Sequence, residues 1–542
     1  MNKPRLLSFP IAFSIKKKRI RRLAKFIKQN ALGLITAFLS TVAIAFFIIF
    51  YQNGLGLAYN DARSHLDIGR RVVEGLNPGL AQLGSVWLPL PHILMIPLVW
   101  NDFMWHSGLA GALISMMAFV GTGIIIFQYT KKLGIGLAGS FLAVAIFAAN
   151  LNTLYLQSTA MTELLLLATM TAGSYYLMVW AKEDKVLALL KSAFWIMLST
   201  LVRYDGWFLF LFASLLIILV IFRKQGYKNS EGILIFFGSL AGIGIVFWFF
   251  WNLIIFGDPL YFALGPFSAR AQQSQLEAAG NLPTKGNLLL SLKIYFYALI
   301  YNSYAFAAFL GLFGAFLFWF EKKIKIRVRI VSSSLASPFL FNVLALVLGH
   351  SVLFIQGVSG NTWFNVRYGI MLLPSIAIFA GYLVDKLKYL RWPVIFLLVF
   401  TTFFALANGD AVTIDDARVG SSQKNVTEVS GWLRENAANK EGFILISVAS
   451  HDAIIFSSGL PMKKFIHEGA GVYWQSATAA PDNWARWIVM RTHDLNDSVF
   501  KLVNESLGFS KYELVDSYPF ADIYQLKDEH LGQLNTEAIF RK

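Results

Sequence analysis

Two carboxylates in this sequence stand at the ends of long apolar runs, where a proton-accepting side chain could meet a substrate. Asp61 lies in a charged and aromatic stretch, residues 59–92, that directly follows the first apolar run. Glu163 opens another apolar run further along the chain. An ionised carboxylate can take the proton of an attacking hydroxyl group. Both residues also fit a plainer role, because an acidic residue in the first turn of a helix is stabilised by the helix dipole.

Two arginines and neighbouring polar side chains recur at the same ends of the apolar runs. Arg203 occupies a short turn between two runs, and Arg367-Tyr368 begins a late one. Guanidinium groups match phosphate oxygens geometrically, so the arginines are candidates to bind an anion. His65 lies one helical turn after Asp61 and would share its face. An arginine that snorkels to the membrane surface and a surface histidine without a role are the plainer alternatives.

The composition predicts a protein that crosses a membrane many times. Of the 542 residues, 56% are hydrophobic and 14% are charged, and the mean hydropathy is +0.57. In a soluble chain, the net charge of +16 would favour nucleic acid as a partner. Here the basic residues form short clusters between apolar runs, which predicts orientation in the bilayer and no nucleic-acid partner. Without cysteine, the chain can form no disulfide, thiolate metal site or cysteine nucleophile.

The apolar runs predict about eleven membrane spans. They cover residues 31–51, 108–129, 134–150, 161–181, 186–202, 206–222, 232–255, 291–320, 335–355, 368–384 and 392–407. The basic cluster at 16–28 predicts a cytoplasmic N-terminus, since positive residues favour that side. Five later basic connections should be cytoplasmic as well: 131–132, 182–185, 223–224, 321–329 and 385–391. If all five connections are cytoplasmic, the apolar stretch 87–105 must lie on the outer surface without crossing the membrane. The odd number of spans then leaves the C-terminus outside.

The sequence divides into three predicted parts. A cytoplasmic basic N-terminus covers residues 1–30, a membrane part covers 31–407 with its first outer loop at 59–107, and an extracytoplasmic domain covers 408–542. The composition of the last part is that of a soluble α/β domain. The predicted fold is therefore mainly α, a polytopic membrane helical bundle with a small extracytoplasmic α/β C-terminal domain.

The pattern inside the C-terminal domain predicts its elements. Continuous apolar residues at 443–448 indicate a buried strand, and residues 512–526 indicate a strand pair around a Tyr-Pro turn. Residues 417–437 are predicted to form one helix. The stretches 484–490 and 497–506 are predicted to be mixed helical material.

The stretch after the first span predicts a helix that lies flat on the membrane. Asn60 or Asp61 could cap it, and apolar residues at helical spacing continue to about Leu76. The charges on its other side are spaced for ion pairs within the helix, which predicts a structural role for them. These pairs are Arg63–Asp67, Asp67–Arg71 and Arg70–Glu74.

In residues 31–407 the chain resembles the GT-C glycosyltransferases, integral-membrane enzymes that include protein O-mannosyltransferases, the aminoarabinose transferase of lipid A and oligosaccharyltransferases. The hallmark acidic residue of that family, just past the first span, matches Asp61 in YNDA. Other similar features keep the family's order along the chain: LPLPH before the second span, Glu163, Arg203-Tyr204-Asp205-Gly206, FGDPLYF and Arg367-Tyr368. This sequence has Asp-Ala where many members have two acidic residues, so a role for a divalent metal ion stays open.

The resemblance implies transfer of a hexosyl or pentosyl group from a polyprenyl-phosphate donor to a protein, glycan or lipid acceptor at the outer face of the membrane. Asp61 would be the general base, with Glu163 as its partner. The candidates to bind the donor phosphate are Arg203, Arg367, Tyr368 and His65. A lipid-linked donor needs no nucleotide motif, because its tail stays in the bilayer and its phosphosugar lies at the interface.

Two other classes compete with a transferase. A transporter or lipid-linked sugar flippase should carry polar groups near the bilayer midplane and show paired halves. The polar residues here gather at one predicted surface and the halves are not duplicated, so a transferase is favoured. A receptor whose outer domain carries the function is the third alternative.

Overall fold

Helices form most of the chain, and a small sheet lies near its C-terminus. The structure is a computed structural model that describes residues 11–537 apart from 226, 267, 279, 281 and 421–425. Up to the last long apolar helix, the helices are α1 (Ile11–Gln52), α2 (Asn60–Val73), α3 (Leu90–Val99), α4 (Asp102–His106), α5 (Leu109–Leu133), α6 (Leu137–Ala148), α7 (Leu151–Leu156), α8 (Glu163–Glu183), α9 (Val186–Thr200), α10 (Asp205–Gln225), α11 (Tyr227–Phe256), α12 (Tyr261–Leu264), α13 (Ala269–Ala278), α14 (Leu288–Ser303), α15 (Ala305–Phe320), α16 (Ile326–Ser332), α17 (Ser337–Val347), α18 (Leu373–Lys386) and α19 (Arg391–Asn408).

The helices reproduce the predicted apolar runs, with one run broken. Among the described residues, eight helical segments are long and apolar enough to cross a membrane. The pair α14–α15 would make a ninth span, but it bends by 112°. With the shorter apolar helices α6 and α9, these segments correspond to the eleven predicted runs, but the run predicted at 335–355 lies earlier in the chain, at Ile326–Val347. The span predicted at 291–320 is broken at Tyr304, which has a φ of +61° and whose hydroxyl accepts from Leu151 N and donates to Asp410 O.

Basic connections share one end of the bundle, as the alternation of the spans predicts. Three ion pairs join them: Lys132–Glu183, Arg327–Asp184 and Lys386–Glu321. The side chains at 223–224 lie outside the described part of the chain. The stretch 87–105 forms α3 and α4 at the opposite end. With ten residues, α3 is about 15 Å long, half of what a hydrocarbon core requires.

The described residues of the C-terminal part form five short α-helices and one sheet. They are α20 (Val412–Val419), α21 (Thr427–Ala437), α22 (Val448–Ser458), α23 (Val472–Ala479), α24 (Ser498–Val503), β1 (Phe443–Ile446), β2 (Phe465–Ile466), β3 (Ala485–Met490), β4 (Tyr512–Ser517) and β5 (Asp522–Leu526). The strand order is β2-β1-β3-β5-β4. Strands β2, β1 and β3 are parallel, and β5 pairs antiparallel with both β3 and β4.

The strand at 443–448 and the strand pair at 512–526 are confirmed, but two other predictions in this domain are wrong. Most of the stretch 484–490 forms the central strand β3, whose Trp487, Ile488 and Val489 are fully buried. A strand covered on both faces has a continuous apolar run without the alternation that marks a half-exposed strand. The single helix predicted at 417–437 is two helices, since α20 ends at Val419 and α21 begins at Thr427. Residues 421–425 between them lie outside the described residues.

Helix α2 lies between the membrane helices and the C-terminal domain, and it ends at Val73, short of the predicted Leu76. Of its three predicted ion pairs, only Arg70–Glu74 forms. Instead, the Arg71 guanidinium donates to Asp452 Oδ1 of α22 at 2.7 Å, and Asp67 Oδ1 accepts from Trp105 Nε1 at 3.1 Å. The predicted pairs fail because α2 is buried, so partners from other elements replace those within the helix.

Candidate active site

Asp61 lies in the first turn of α2, but it does not cap the helix. The N-cap residue is Tyr59, and no side chain forms a capping hydrogen bond there. Asp61 Oδ2 instead accepts a hydrogen bond of 2.7 Å from Arg367 Nη2. The Asp61 side chain remains 37% exposed. A tertiary ion pair thus orients the carboxylate while part of it stays accessible.

Arg367 is the centre of a group of carboxylates drawn from distant parts of the chain. It lies in the 3₁₀ turn Val366–Leu372 that leads into α18. Its Nε donates to Glu163 Oε1 at 3.0 Å, and its Nη1 lies 3.6 Å from Asp416 Oδ2. We call Arg367, Asp61, Glu163 and Asp416 the Arg367 cluster. Because the Arg367 side chain is only 3% exposed, it does not snorkel to the membrane surface.

Glu163 is the first residue of α8 and is completely buried. Its Oε1 is shared between Arg367 and Arg203, whose Nη1 lies 3.4 Å away. Its Oε2 has no hydrogen-bond partner among the described residues. Burial of an acceptor without a hydrogen-bond partner costs folding free energy. The contacts of Glu163 with the two guanidinium groups offset that cost.

Arg203 is the more open of the two arginines. Its side chain is 22% exposed, and its Nε lies 3.4 Å from Asp205 Oδ2. The aromatic ring of Tyr368 contacts both guanidinium groups, with Cζ–centroid distances of 4.9 Å for Arg203 and 5.4 Å for Arg367. The turn that carries Arg203 packs closely on α9, since a Cβ on Gly206 would lie 2.2 Å from Ser199 O. Glycine is therefore required for this turn.

His65 does not contact Asp61, although the two share a helical spacing. Its Nδ1 is 2.9 Å from His92 Nε2, and its ring lies 4.3 Å from that of Trp87. Burial, with the nearby positive charge of Arg203 and Arg367, lowers the pKa of His65 to about 3. The imidazole is therefore neutral at physiological pH and packs beside the Arg367 cluster.

Two residues here were not predicted from the sequence: Asp416, a member of the Arg367 cluster, and Tyr59, which contacts it. The Tyr59 hydroxyl has one proton to donate and lies 3.0 Å from Asp416 Oδ2 and 2.9 Å from Thr413 O, so these two acceptors share it. Helix α20 is held there by Asn152, whose Oδ1 accepts from the backbone and hydroxyl of Thr413. The sequence did contain a signal, the acidic pair Asp415-Asp416 shortly after the last span. These residues were assigned to the C-terminal soluble domain instead.

The elements that carry these residues all begin at one end of the bundle. Asp61, Glu163 and Asp205 lie in the first turns of α2, α8 and α10, and Arg367 precedes α18. The basic connections lie at the other end. Within the described residues, no three histidine or acidic side chains are placed to hold a metal ion. The arrangement presents two partly exposed groups, the Asp61 carboxylate and the Arg203 guanidinium. The buried Arg367 and Glu163 hold them in place.

This bundle of membrane helices with a small α/β domain beside it has the fold of solved membrane proteins, as the sequence resemblance implied. ArnT from Cupriavidus metallidurans bound to undecaprenyl phosphate has a TM-score of 0.54 at 10% identity, over 90% of this chain and 98% of ArnT. Its apo structure gives 0.53 at 11% identity, with the same coverage.

The oligosaccharyltransferase of Archaeoglobus fulgidus in its apo form gives a TM-score of 0.50 at 10% identity, over 86% of this chain and 70% of its own. No protein-family model and no curated protein sequence matches the chain. At these identities the likeness establishes the fold, and the reaction must be argued from the site.

Proposed function

We propose that the protein is a membrane glycosyltransferase that moves a sugar from a polyprenyl-phosphate donor to an acceptor hydroxyl. In this reaction the acceptor oxygen bonds to the anomeric carbon as the bond from that carbon to the phosphate oxygen breaks. The acceptor proton passes to Asp61, and polyprenyl phosphate leaves. The observation that carries the proposal is the Asp61 carboxylate, which Arg367 holds through Oδ2 while the side chain stays partly exposed.

The two arginines take different roles in this proposal. Arg367 is surrounded by Asp61, Glu163 and Asp416 and is almost fully buried, so it orients the base. The hydrogen bonds of the Arg203 side chain to the described residues are 3.4 Å or longer, which is weak by hydrogen-bond standards. Its guanidinium therefore has donors to offer to the phosphate, where it would stabilise the charge of the leaving group. Tyr368 stacks on both arginines, and Glu163 fixes their separation.

The donor class is supported by the fold neighbour ArnT, which was solved with undecaprenyl phosphate bound. The charged cluster and the C-terminal domain lie at the end opposite the basic connections. We therefore place both outside the cytoplasm of a cell membrane, with the N-terminus inside. A protein, glycan or lipid acceptor fits this location equally.

Reconstitution tests the reaction against its main alternative. Proteoliposomes with the purified chain and a radiolabelled polyprenyl-phosphate sugar should release polyprenyl phosphate as sugar appears on an acceptor. A flippase would move the labelled lipid between leaflets with its sugar still attached. Movement without cleavage, across a panel of hydroxyl acceptors, would contradict the proposed transfer.

Cysteine labelling tests the orientation, because the natural chain contains no cysteine. An impermeant thiol reagent added to intact cells should label Asn77→Cys, in the first loop, and Lys527→Cys, after β5 in the C-terminal domain. It should label Lys322→Cys, in a basic connection, only after the cells are opened. The reverse pattern would place the cluster in the cytoplasm.

A further inference from the structure

A second charged feature lies away from the Arg367 cluster, between α2, α4 and the C-terminal domain. Two adjoining cavities of about 510 Å³ and 420 Å³ meet at Leu57 and His106, which line both of them. The larger is lined by Arg63 of α2 and Arg434 of α21, together with the end of α22. We call the two cavities together the cationic groove.

The two arginines of the groove converge on one residue. Arg63 Nη1 donates to Ser457 Oγ at 3.2 Å, and Arg434 Nη2 donates to Ser457 O at 2.5 Å. Neither arginine forms an ion pair with an acidic residue in the described part of the chain. Both guanidinium groups are positively charged and contact the same residue, so two positive charges face one cavity. An anion between them would pair with both charges and accept hydrogen bonds from both guanidinium groups.

The other ionisable groups of the groove do not supply that anion. Asp102 lines the smaller cavity, but its carboxylate already accepts from Arg70 at 2.5 Å. Burial lowers the pKa of His106, so its imidazole is neutral near pH 7. Burial also lowers the pKa of Arg63 without changing its charge. The positive charge of the groove therefore comes from Arg63 and Arg434.

The smaller cavity connects this charge with the membrane surface. Its lining includes Tyr51, at the end of the first span, and Phe103 of α4, which is 62% exposed. Exposed aromatic side chains of this kind favour the membrane–water interface. A molecule that fills both cavities would place an anionic group between the arginines and an apolar part beside α1.

We propose that the cationic groove binds the phosphate headgroup of a membrane lipid and thereby ties α2 to the C-terminal domain. The headgroup phosphate accepts from Arg63 on one side and from Arg434 on the other, while its acyl chains leave along α4. The proposal does not depend on the reaction at Asp61. It assigns the groove a lipid that is bound and not consumed.

Equilibrium binding to the purified full chain in a neutral detergent tests the proposal. The probes are dihexanoyl phosphatidylglycerol, dihexanoyl phosphatidylcholine with the same tails, and inorganic phosphate. Phosphatidylglycerol should bind most tightly and should raise the unfolding temperature, because a ligand of the folded state stabilises it. Arg63→Gln and Arg434→Gln should each weaken its binding by about tenfold, the typical effect of one charge-assisted hydrogen bond.

Two further variants make the result specific. Arg486→Gln removes an arginine of the same domain that donates to a backbone carbonyl outside the groove, and it should leave binding unchanged. Arg203→Ala removes a side chain beside the Arg367 cluster. Phosphatidylglycerol should bind this variant as it binds the wild type, because binding in the groove does not need Arg203. Because Arg434 is exposed, its variant remains informative if Arg63→Gln fails to fold.

Two outcomes would overturn the proposal. Equal binding of both lipids, unchanged in the Arg63 and Arg434 variants, would show that the arginines do not select an anionic headgroup. Inorganic phosphate that binds as tightly as phosphatidylglycerol would show a site for a soluble anion and not for a lipid.

Discussion

Helix α2 contributes to two arginine–carboxylate clusters that differ in what they leave exposed. One is the Arg367 cluster, which Asp61 joins. The other is the Arg71 cluster, which consists of Arg71, Asp67 and Asp452 and joins α2 to α22. In the first, the Asp61 side chain is 37% exposed, whereas in the second the Arg71 and Asp452 side chains are each 9% exposed and Asp67 is fully buried.

This difference separates a group that can meet a substrate from one that can only hold the fold. Both clusters remove charges from water, which costs free energy that hydrogen bonds between the partners offset. In the Arg71 cluster, the gain is the attachment of the C-terminal domain to α2. In the Arg367 cluster, the same type of contact joins α2, α8, α20 and the turn before α18, and it still leaves Asp61 and the neighbouring Arg203 accessible.

The largest expected effect on stability follows from Arg367→Ala. The substitution leaves Glu163 buried without its main partner, which should cost about 3–5 kcal/mol of unfolding free energy. Denaturant unfolding in detergent measures it, and transfer activity should be lost together with stability. Arg367→Lys keeps the charge and should recover part of both. Unchanged stability of Arg367→Ala would show that the cluster does not hold the helix ends together.

Arg203→Ala should affect binding more than folding, since this side chain is partly exposed and makes only long contacts. Donor affinity and turnover should each fall about tenfold or more, because a charge-assisted contact to the phosphate is lost. Steady-state kinetics with a short-chain polyprenyl-phosphate sugar measure both, and unfolding experiments provide the control. Normal kinetics would remove Arg203 from the phosphate site.

Asp67→Asn changes the buried Arg71 cluster, and we expect this substitution to stabilise the protein at neutral pH. Burial and the neighbouring Asp452 carboxylate raise the pKa of Asp67 well above its ordinary value of 3.8. Asparagine keeps an oxygen that can accept from Trp105 Nε1 without carrying a charge. The expected gain is about 1 kcal/mol, at the low end of what replacing a buried charge by an uncharged group of similar volume contributes.

The raised pKa of Asp67 also predicts how the stability of the wild type changes with pH. An acid whose pKa is raised in the folded state binds its proton more tightly there. Its stabilising contribution is complete below the ordinary value of 3.8 and is lost as the pH rises through the folded-state pKa of Asp67. Hydrogen exchange of α22 across this pH range measures it. An equally steep dependence in Asp67→Asn would assign the titration to other groups.

The smallest effect is expected for His65→Gln. The glutamine can keep a hydrogen bond to His92, and the histidine is neutral and does not contact Asp61. Transfer should fall by less than about threefold, since an uncharged hydrogen bond contributes about 1 kcal/mol or less. A much larger loss, with a changed pH–rate profile, would make His65 the proton acceptor instead of Asp61.

The sequence was sufficient to predict what depends on hydropathy and on position relative to the spans. The spans themselves, and the placement of Asp61, Glu163, Arg203 and Arg367-Tyr368 at one end, follow from those two properties. Asp416 could not be predicted, because it reaches the cluster only after the chain turns back beyond α19 and Thr413 bonds to Asn152.

The ion pairs of α2 failed for a related reason. Spacing within one helix predicts pairs only where no other element competes. Arg71 pairs instead with Asp452, which lies 381 residues away in the sequence. Strand β3 was missed because burial on both faces removes the alternation that identifies a strand.

The comparison of Asp61→Asn with Asp67→Asn is the most direct test of the central claim. Both substitutions replace a carboxylate of α2 by its amide, one in the accessible cluster and one in the buried cluster. Single-turnover transfer from a polyprenyl-phosphate sugar should fall by about 10² or more in Asp61→Asn, with donor binding and folding retained, because an amide cannot take the acceptor proton. Asp67→Asn should transfer at nearly the wild-type rate. Near wild-type transfer by Asp61→Asn would contradict its assignment as the general base.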